Sequence, residues 1–187
     1  MRAYVQSVRA QQTADTEARI VEEAERLFST EPFDRVTLAS IAGAAGVTIP
    51  TVQRRFGNKD GVFAAVADRV RERVDRQRST RGDLRTCIRE LVDHYEQEGR
   101  LMWHMLRQEQ DVPLLQDALP EARAVHRRWV ETVFAAELEP RDARQRRARI
   151  DALVAATDLF VWKLLRIDLG RSRVEVEAAM LALAGGS

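Results

Sequence analysis

Residues 36–63 read VTLASIAGAAGVTIPTVQRRFGNKDGVF, and this stretch decides the fold. Leu38 and Ile41 recur at helical spacing, which predicts a first short helix. Gly46 interrupts that pattern, and a second short helix follows until Gly57 breaks it. Two short helices joined by a glycine-containing turn are typical of a helix-turn-helix.

The second short helix has a polar outward face. If Val52 points inward, Arg54 lies about 200° around the helix and Gln53 about 100°. No acidic residue occurs between Arg35 and Lys59. Arginine and glutamine can hydrogen-bond the edges of guanine and adenine, respectively. The residues alone also fit a helical hairpin with solvated arginines, so both interpretations stay open.

The ends of these helices carry residues suited to anions. Thr37 and Thr48 are candidate N-caps, which leave helix N-termini open to negative groups. Pro50 disfavours helical geometry at Ile49 but suits the first turn of a helix, so the helix start stays undecided. Lys59 opens the next helix, where a cation is unfavourable by a few tenths of a kcal/mol unless an anion such as phosphate lies beside it.

The composition indicates a soluble globular protein, and the sequence shows no recognisable catalytic or metal-binding set of residues. The chain has 187 residues, of which 45% are hydrophobic and 32% charged, and no apolar run approaches a membrane span. We therefore expect a cytoplasmic protein. Cys87 is the one cysteine, and the three histidines lack metal-ligand spacing. No paired-carboxylate, Ser/His/Asp or Cys/His set is evident, so we expect no enzyme activity, cofactor or metal.

Apolar residues recur at helical spacing almost throughout, without strand-like alternation, which predicts an all-α protein. We expect a frayed N-terminal arm over 1–14, a compact module over 15–76 and a bundle of longer helices over 77–187. We expect the boundary near the polar stretch RSTRGD at 78–83, or inside the helix that precedes it.

Breaker residues predict the helix limits in the second half. Gly99 is expected to end one helix and a short helix to follow at 101–110. Pro113 and Pro120 are expected to bracket the start of the next helix. The segment 142–168 is expected to form one long helix, the longest of the chain.

Residues 17–70 resemble the DNA-binding domain of the TetR family of bacterial transcriptional regulators. The resemblance implies a three-helix helix-turn-helix domain and a larger helical ligand-binding and dimerisation domain, about nine helices in all. The matching residues are Thr37, Ile41-Ala42, Ala45-Gly46-Val47, Thr51, Phe56 and Asn58-Lys59-Asp60.

The resemblance implies a function for the whole chain. It implies a homodimeric regulator, most simply a repressor that a small molecule releases from a palindromic operator. The alternative is a helical protein-interaction module that keeps the fold without specific DNA binding.

The family motif also assigns DNA-contacting positions. Gln53 replaces the usual tyrosine; the shorter side chain loses the tyrosine's contact with the DNA backbone, which favours a base contact at this position. Arg55 replaces the usual histidine or tyrosine and should still serve phosphate. The DNA-binding residues implied are Thr37, Thr48, Ile49, Pro50, Thr51, Gln53, Arg54, Arg55 and Lys59.

The second half is predicted to bind a ligand and a second copy of the chain. Aromatic and methionine side chains concentrate there, although such residues also build ordinary cores. The segment TDLFVWKLLRIDLG (157–170) is apolar on more than one side and resembles the family's dimerisation region. A core helix of a monomer is the alternative. The candidate residues for a hydrophobic effector are Tyr95, Met102, Trp103, Leu106, Trp129, Val133 and Phe160. The candidate dimer residues are Val154, Val161, Leu165, Val176 and Met180.

Overall fold

The computed structural model describes residues 2–77, 83–139 and 142–185. Every regular element in these ranges is helical, so the predicted all-α class is confirmed. The described residues form ten α-helices, close to the nine expected, and two of them have only four and five residues. The helices are α1 (Arg2–Thr30), α2 (Leu38–Ala44), α3 (Ile49–Phe56), α4 (Lys59–Gln77), α5 (Leu84–Leu106), α6 (Pro113–Val133), α7 (Ala135–Leu138), α8 (Ala143–Ala156), α9 (Leu159–Lys163) and α10 (Arg173–Leu183). A π-helical turn, Leu164–Asp168, directly continues α9.

The chain divides into two compact units, Met1–Arg71 and Glu72–Ser187. The division falls inside α4, which is one of the two places that the sequence allowed; the other is the polar stretch at 78–83. Residues 78–82 lie outside the described residues. No helix in the described ranges is both long and apolar enough to cross a bilayer.

The first unit is built around an aromatic cluster. Phe28 of α1 stacks on Phe33 with ring centroids 5.3 Å apart, and Phe63 of α4 meets Phe28 edge-on at 5.4 Å. Ile41 of α2 and Val52 of α3 are fully buried in the same unit. α2 packs against both α1 and α3, so the buried apolar positions of the two short helices join the core of this unit.

The predicted frayed arm is wrong, because α1 begins at Arg2 and includes residues 2–14. Apolar periodicity did not predict a helix over 2–14, because the apolar pattern is weak there. The segment has no glycine or proline, and its alanine, arginine and glutamine residues favour a helix by intrinsic propensity. Local side-chain bonds add to this: the Gln11 amide donates to the Asp15 carboxylate at 2.8 Å. A helix needs an apolar stripe only where it packs against something.

The predicted helix break at Gly99 is also wrong, because α5 runs without interruption to Leu106. A Cβ at Gly99 would lie 2.6 Å from the ring of Trp162 in α9. The glycine therefore allows α5 and α9 to approach closely. Residues 101–106 continue α5, and turns follow from Arg107.

Pro120 lies inside α6 instead of marking a helix start. Its position is exposed, where water can satisfy the carbonyl that loses its backbone partner. Pro113 does begin α6, as the first-turn preference of proline predicts.

The single long helix predicted over 142–168 is divided at Thr157 and Asp158. The Thr157 hydroxyl donates to the Leu153 carbonyl at 2.7 Å, and the Asp158 carboxylate accepts from the Phe160 N–H at 2.9 Å. Both side chains thus satisfy backbone groups at a helix end, which threonine and aspartate do more readily than they extend a helix. α8 ends there, and α9 starts with a new cap.

Candidate DNA interface

The turn between α2 and α3 depends on Gly46, whose φ of 64° suits glycine. The Val47 N–H donates to the Ala42 carbonyl at 2.9 Å and closes the end of α2. Ala42 is 2% exposed, so a small side chain lies where the helices pack. At the other end of α2, Thr37 and Ser40 form the reciprocal bonds of a capping box. These contacts fix the orientation of α3 within the first unit.

α3 begins at Ile49 with Thr48 as N-cap, which settles the helix start that the sequence left open. The Thr48 side chain caps no backbone N–H. Its hydroxyl instead lies 2.9 Å from the Thr51 hydroxyl. Pro50 has no N–H to offer, and the Thr51 N–H donates to the Thr48 carbonyl at 2.9 Å. The first turn is therefore regular despite the proline.

The outward face of α3 carries side chains free to meet a ligand. Pro50, Gln53 and Arg54 are exposed, and Thr51 is half-buried. Val52 is fully buried on the opposite side. Across the described ranges, neither Gln53 nor Arg54 makes a side-chain hydrogen bond or ion pair. An unpaired guanidinium beside a free amide, with no acid between Arg35 and Lys59, forms a cationic hydrogen-bonding surface.

Arg55 points to α1 instead of to this face. Its guanidinium donates to the Glu17 carboxylate at 2.8 Å and to the Thr13 hydroxyl at 3.3 Å, and its side chain is 21% exposed. These partners are 38 and 42 positions away along the chain, so no local sequence pattern could predict the contact. The predicted phosphate role of Arg55 therefore requires its guanidinium to share or exchange these partners.

Lys59 is likewise held within the first unit. Its ammonium donates to the Phe33 carbonyl at 2.8 Å and lies 4.3 Å from the centre of the Phe33 ring. A carbonyl and an aromatic face are partners that offset the unfavourable position of a cation at the start of α4. An ammonium has three N–H groups, so the predicted phosphate contact of Lys59 stays a prediction.

The residues predicted to bind a ligand lie in different environments in the second unit. Tyr95 and Trp129 are buried in its core. Phe160 is 55% exposed and meets the Trp103 ring edge-on at 5.3 Å. The half-buried members that pack against the core are Met102, Trp103, Leu106 and Val133. The predicted set therefore combines two core residues, four half-buried residues packed against the core, and the exposed Phe160.

A buried polar group at the α8–α9 break was not anticipated. Thr157 is fully buried, its hydroxyl lies 3.1 Å from His126 Nε2, and its carbonyl accepts from the Tyr95 hydroxyl at 2.9 Å. His126 stacks on Trp129 with centroids 5.8 Å apart. The contacts join residues 31 and 62 positions apart, beyond any local pattern. Three helices thus meet around one hydrogen-bonded threonine.

Two of the predicted dimer residues are wrong. Val176 and Met180 are fully buried in the core of the second unit, because the apolar stripe of α10 packs on α5 and α8. The predicted residues Val154, Val161 and Leu165 are half-buried. The exposed apolar side chains nearby are Phe160, Leu164, Ile167 and Leu169.

Comparison with known proteins agrees with the geometry of the first unit. The family model described as "Bacterial regulatory proteins, tetR family" matches residues 20–66. The curated relative TtgR, an HTH-type transcriptional regulator of Pseudomonas putida, is 38% identical over 65 residues. That match covers 35% of this chain and 31% of TtgR, so it spans about a third of the relative's length.

Solved structures resemble the chain over most of its length. A TetR-like transcriptional regulator from Rhodococcus sp. RHA1 has a TM-score of 0.71 and 21% identity, and covers 91% of this chain and 93% of its own. The SmeT–triclosan complex has a TM-score of 0.66 and 20% identity, and covers 90% of both chains. At these identities the likeness concerns the fold, and it includes the second unit.

Proposed function

We propose that this chain is a ligand-responsive DNA-binding transcriptional regulator of the TetR family, whose family model matches residues 20–66. It would act as a repressor that a small molecule releases from a palindromic operator. The observation that carries the proposal is the outward face of α3, where Gln53 and Arg54 are exposed and lack partners among the described residues. Such side chains match the hydrogen-bonding edges of the major groove.

In the direct test, random DNA duplexes are selected for binding to the purified protein, and the affinity of the enriched duplexes is measured. Arg54→Ala should weaken the preferred duplex by about 1–3 kcal/mol and relax the base preference at one position of each half-site. Glu22→Ala, which removes an exposed α1 side chain, is a control that should leave the preference unchanged. Equal weakening on every sequence would make Arg54 a phosphate contact, and failure to enrich any sequence would refute specific DNA binding.

The proposed dimer uses the exposed apolar side of α9 and the π-helical turn. Phe160, Leu164 and Ile167 are each about half exposed, at 55%, 49% and 48%, and they follow a three- and four-residue spacing. A stripe of this kind on a surface helix favours a partner with the same chemistry. A second copy supplies it symmetrically and gives two α3 helices, which a palindromic site requires.

The proposed effector is a mainly apolar small molecule that binds in the second unit. Tyr95 and Trp129 lie in its apolar interior, and Thr157 and His126 place hydrogen-bonding groups beside them. An apolar interior with a few polar groups is the usual composition of a ligand site. SmeT, whose fold the chain shares, was solved with triclosan. Binding would then change the spacing of the two α3 helices, which DNA requires to be about 34–36 Å apart.

Effector action has a thermodynamic signature. If a compound weakens DNA binding by some factor, DNA must weaken the compound by the same factor. Apolar compounds can be screened by quenching of tryptophan emission, because all three tryptophans lie in the second unit. A compound that binds equally well with and without operator would not be an inducer.

A further inference from the structure

We propose that Ile49 recognises the 5-methyl group of a thymine in each half-site of the operator. The proposal rests on the DNA-binding function proposed above and assigns part of its sequence preference. Ile49 is 40% exposed, and among residues 10–71, whose side-chain exposure is described, it is the one large apolar residue classed as exposed. It lies at the start of α3, on the side of the helix that also carries Gln53.

The fold does not require isoleucine at this position. Ile49 is the first residue of α3, and the proline that suits a helix start follows it at Pro50. A β-branched side chain adds nothing to helix propensity. Val52 is the fully buried residue of α3 and provides the packing that holds this helix in place. The exposed part of Ile49 is therefore available to a partner.

Gln53, four positions after Ile49, indicates which part of the DNA Ile49 would face. Residues at i and i+4 of a helix are neighbours, with Cβ atoms roughly 5–6 Å apart, so Ile49 lies beside Gln53. A glutamine amide is suited to the N6 and N7 edge of adenine in the major groove. The thymine paired with that adenine presents its methyl group in the same groove, next to the adenine edge. Ile49 is thus placed to meet this methyl group or that of the adjacent thymine.

The chemistry of the major groove favours a contact between Ile49 and a thymine methyl group. The major-groove edges of the four bases present hydrogen-bond donors and acceptors, and the thymine 5-methyl group is the apolar element among them. The isoleucine side chain cannot hydrogen-bond to any base edge, so it favours sequences in which a methyl group covers it. Burying one methyl-sized group is expected to change affinity about fourfold.

The experiment replaces thymine by uracil in the selected operator, one position at a time, which removes the methyl group and leaves base pairing intact. For the unaltered protein, one substitution per half-site should weaken binding about fourfold in fluorescence anisotropy. For Ile49→Ala the same substitution should have no effect, and Ile49→Val should keep most of the discrimination. The salt dependence of binding should match that of the unaltered protein, because an isoleucine side chain cannot neutralise a phosphate. Ile49→Val, which removes one methylene group, should keep the stability close to that of the unaltered protein.

The outcomes separate this inference from the function on which it rests. If the protein selects a defined operator but Ile49→Ala discriminates thymine from uracil as before, the methyl contact is refuted and the DNA-binding function stands. If uracil is tolerated everywhere by the unaltered protein, the contact is refuted in the same way. If no DNA sequence is selected at all, both proposals fail.

Discussion

At the scale of single residues, three basic side chains of one short segment have different surroundings. Arg54 is exposed and makes no side-chain bond within the described residues, Arg55 is paired with Glu17, and Lys59 is bonded to the Phe33 carbonyl. Sequence reasoning placed all three on the DNA. It identified the exposed arginine from helical periodicity, but partners on α1 and in the loop after it lie too far along the chain for a local pattern to reveal.

Lys59→Ala should therefore have two effects. The first unit should become less stable, because the hydrogen bond from Lys59 to the Phe33 carbonyl and the contact of its ammonium with the Phe33 ring are both lost. If Lys59 also binds phosphate, the slope of log K against log salt should fall by about 0.9 for each phosphate that the variant no longer neutralises, or twice that in a symmetric dimer. Salt titration by anisotropy separates the effects, and an unchanged slope would leave Lys59 a structural residue only.

Gly99 is a second residue whose role appears only in three dimensions. Gly99→Ala should destabilise the second unit by about 1–3 kcal/mol, because the new methyl group would overlap the Trp162 ring. Gly43→Ala is the matched control: it lies inside α2 with nothing within 4 Å of the added Cβ, and should stabilise by about 0.4–1 kcal/mol. Denaturant unfolding followed by circular dichroism measures both. Equal destabilisation by the two substitutions would contradict the close approach of α5 and α9.

At the scale of secondary-structure elements, apolar periodicity predicted helix content well and helix limits poorly. It identified α2, α3 and the stripes of α5 and α10. Glycine and proline were misleading as break signals, since Gly99 and Pro120 lie inside helices. The real break at Thr157 comes from side-chain bonds to the backbone within a run of apolar residues, which periodicity does not register. Helix ends follow from local hydrogen bonding and from packing partners that are distant in sequence.

The cap of α10 offers a test at this scale. The Ser172 hydroxyl donates to the Glu175 carboxylate at 2.7 Å and the Ser172 N–H donates to it at 2.8 Å, and these bonds lower the pKa of Glu175. A lowered carboxyl pKa stabilises the fold above the ordinary pKa, and the stabilisation disappears as the pH falls through the lowered value.

Ser172→Ala should reduce the free energy of unfolding of the second unit by about 1 kcal/mol at neutral pH. It should also return the pKa of Glu175 towards its ordinary value, which carboxyl NMR titration measures. Ser29→Ala removes a serine bonded to the carbonyl four residues before it and should change stability little. An unaltered Glu175 titration in Ser172→Ala would show that another group holds the carboxylate.

At the scale of the whole molecule, the sequence predicted two functional halves, and family resemblance contributed more to the first than to the second. The motif over 36–63 specifies the first unit closely, because turn glycine, caps and buried apolar positions all lie within one short stretch. The second unit is specified by contacts between distant helices. The sequence could not distinguish the buried Val176 and Met180 from dimer-interface residues, because core positions and interface positions both favour apolar side chains.

The proposed dimer surface gives the prediction at this scale. Ile167→Glu places a charge on the exposed apolar side of the π-helical turn, and we expect a folded monomer in sedimentation velocity, because Ile167 is 48% exposed within the chain. Ala122→Glu adds the same charge on an exposed position of α6 and should leave the dimer intact. The monomer should bind single half-sites without a preference for palindromes. A dimer that persists at low concentration would place the interface elsewhere.

Cys87 is the one cysteine of the chain, so its reaction with a thiol reagent can report how often the second unit opens. Cys87 is 1% exposed in α5, and burial raises the pKa of the Cys87 thiol, so the native protein should react slowly with thiol reagents. Modification then requires local or global opening of the unit around it. The labelling rate would measure that opening without signal from the first unit, which has no cysteine. A compound that slows labelling stabilises the helices around α5, whereas DNA alone should slow it only if the two units are energetically coupled.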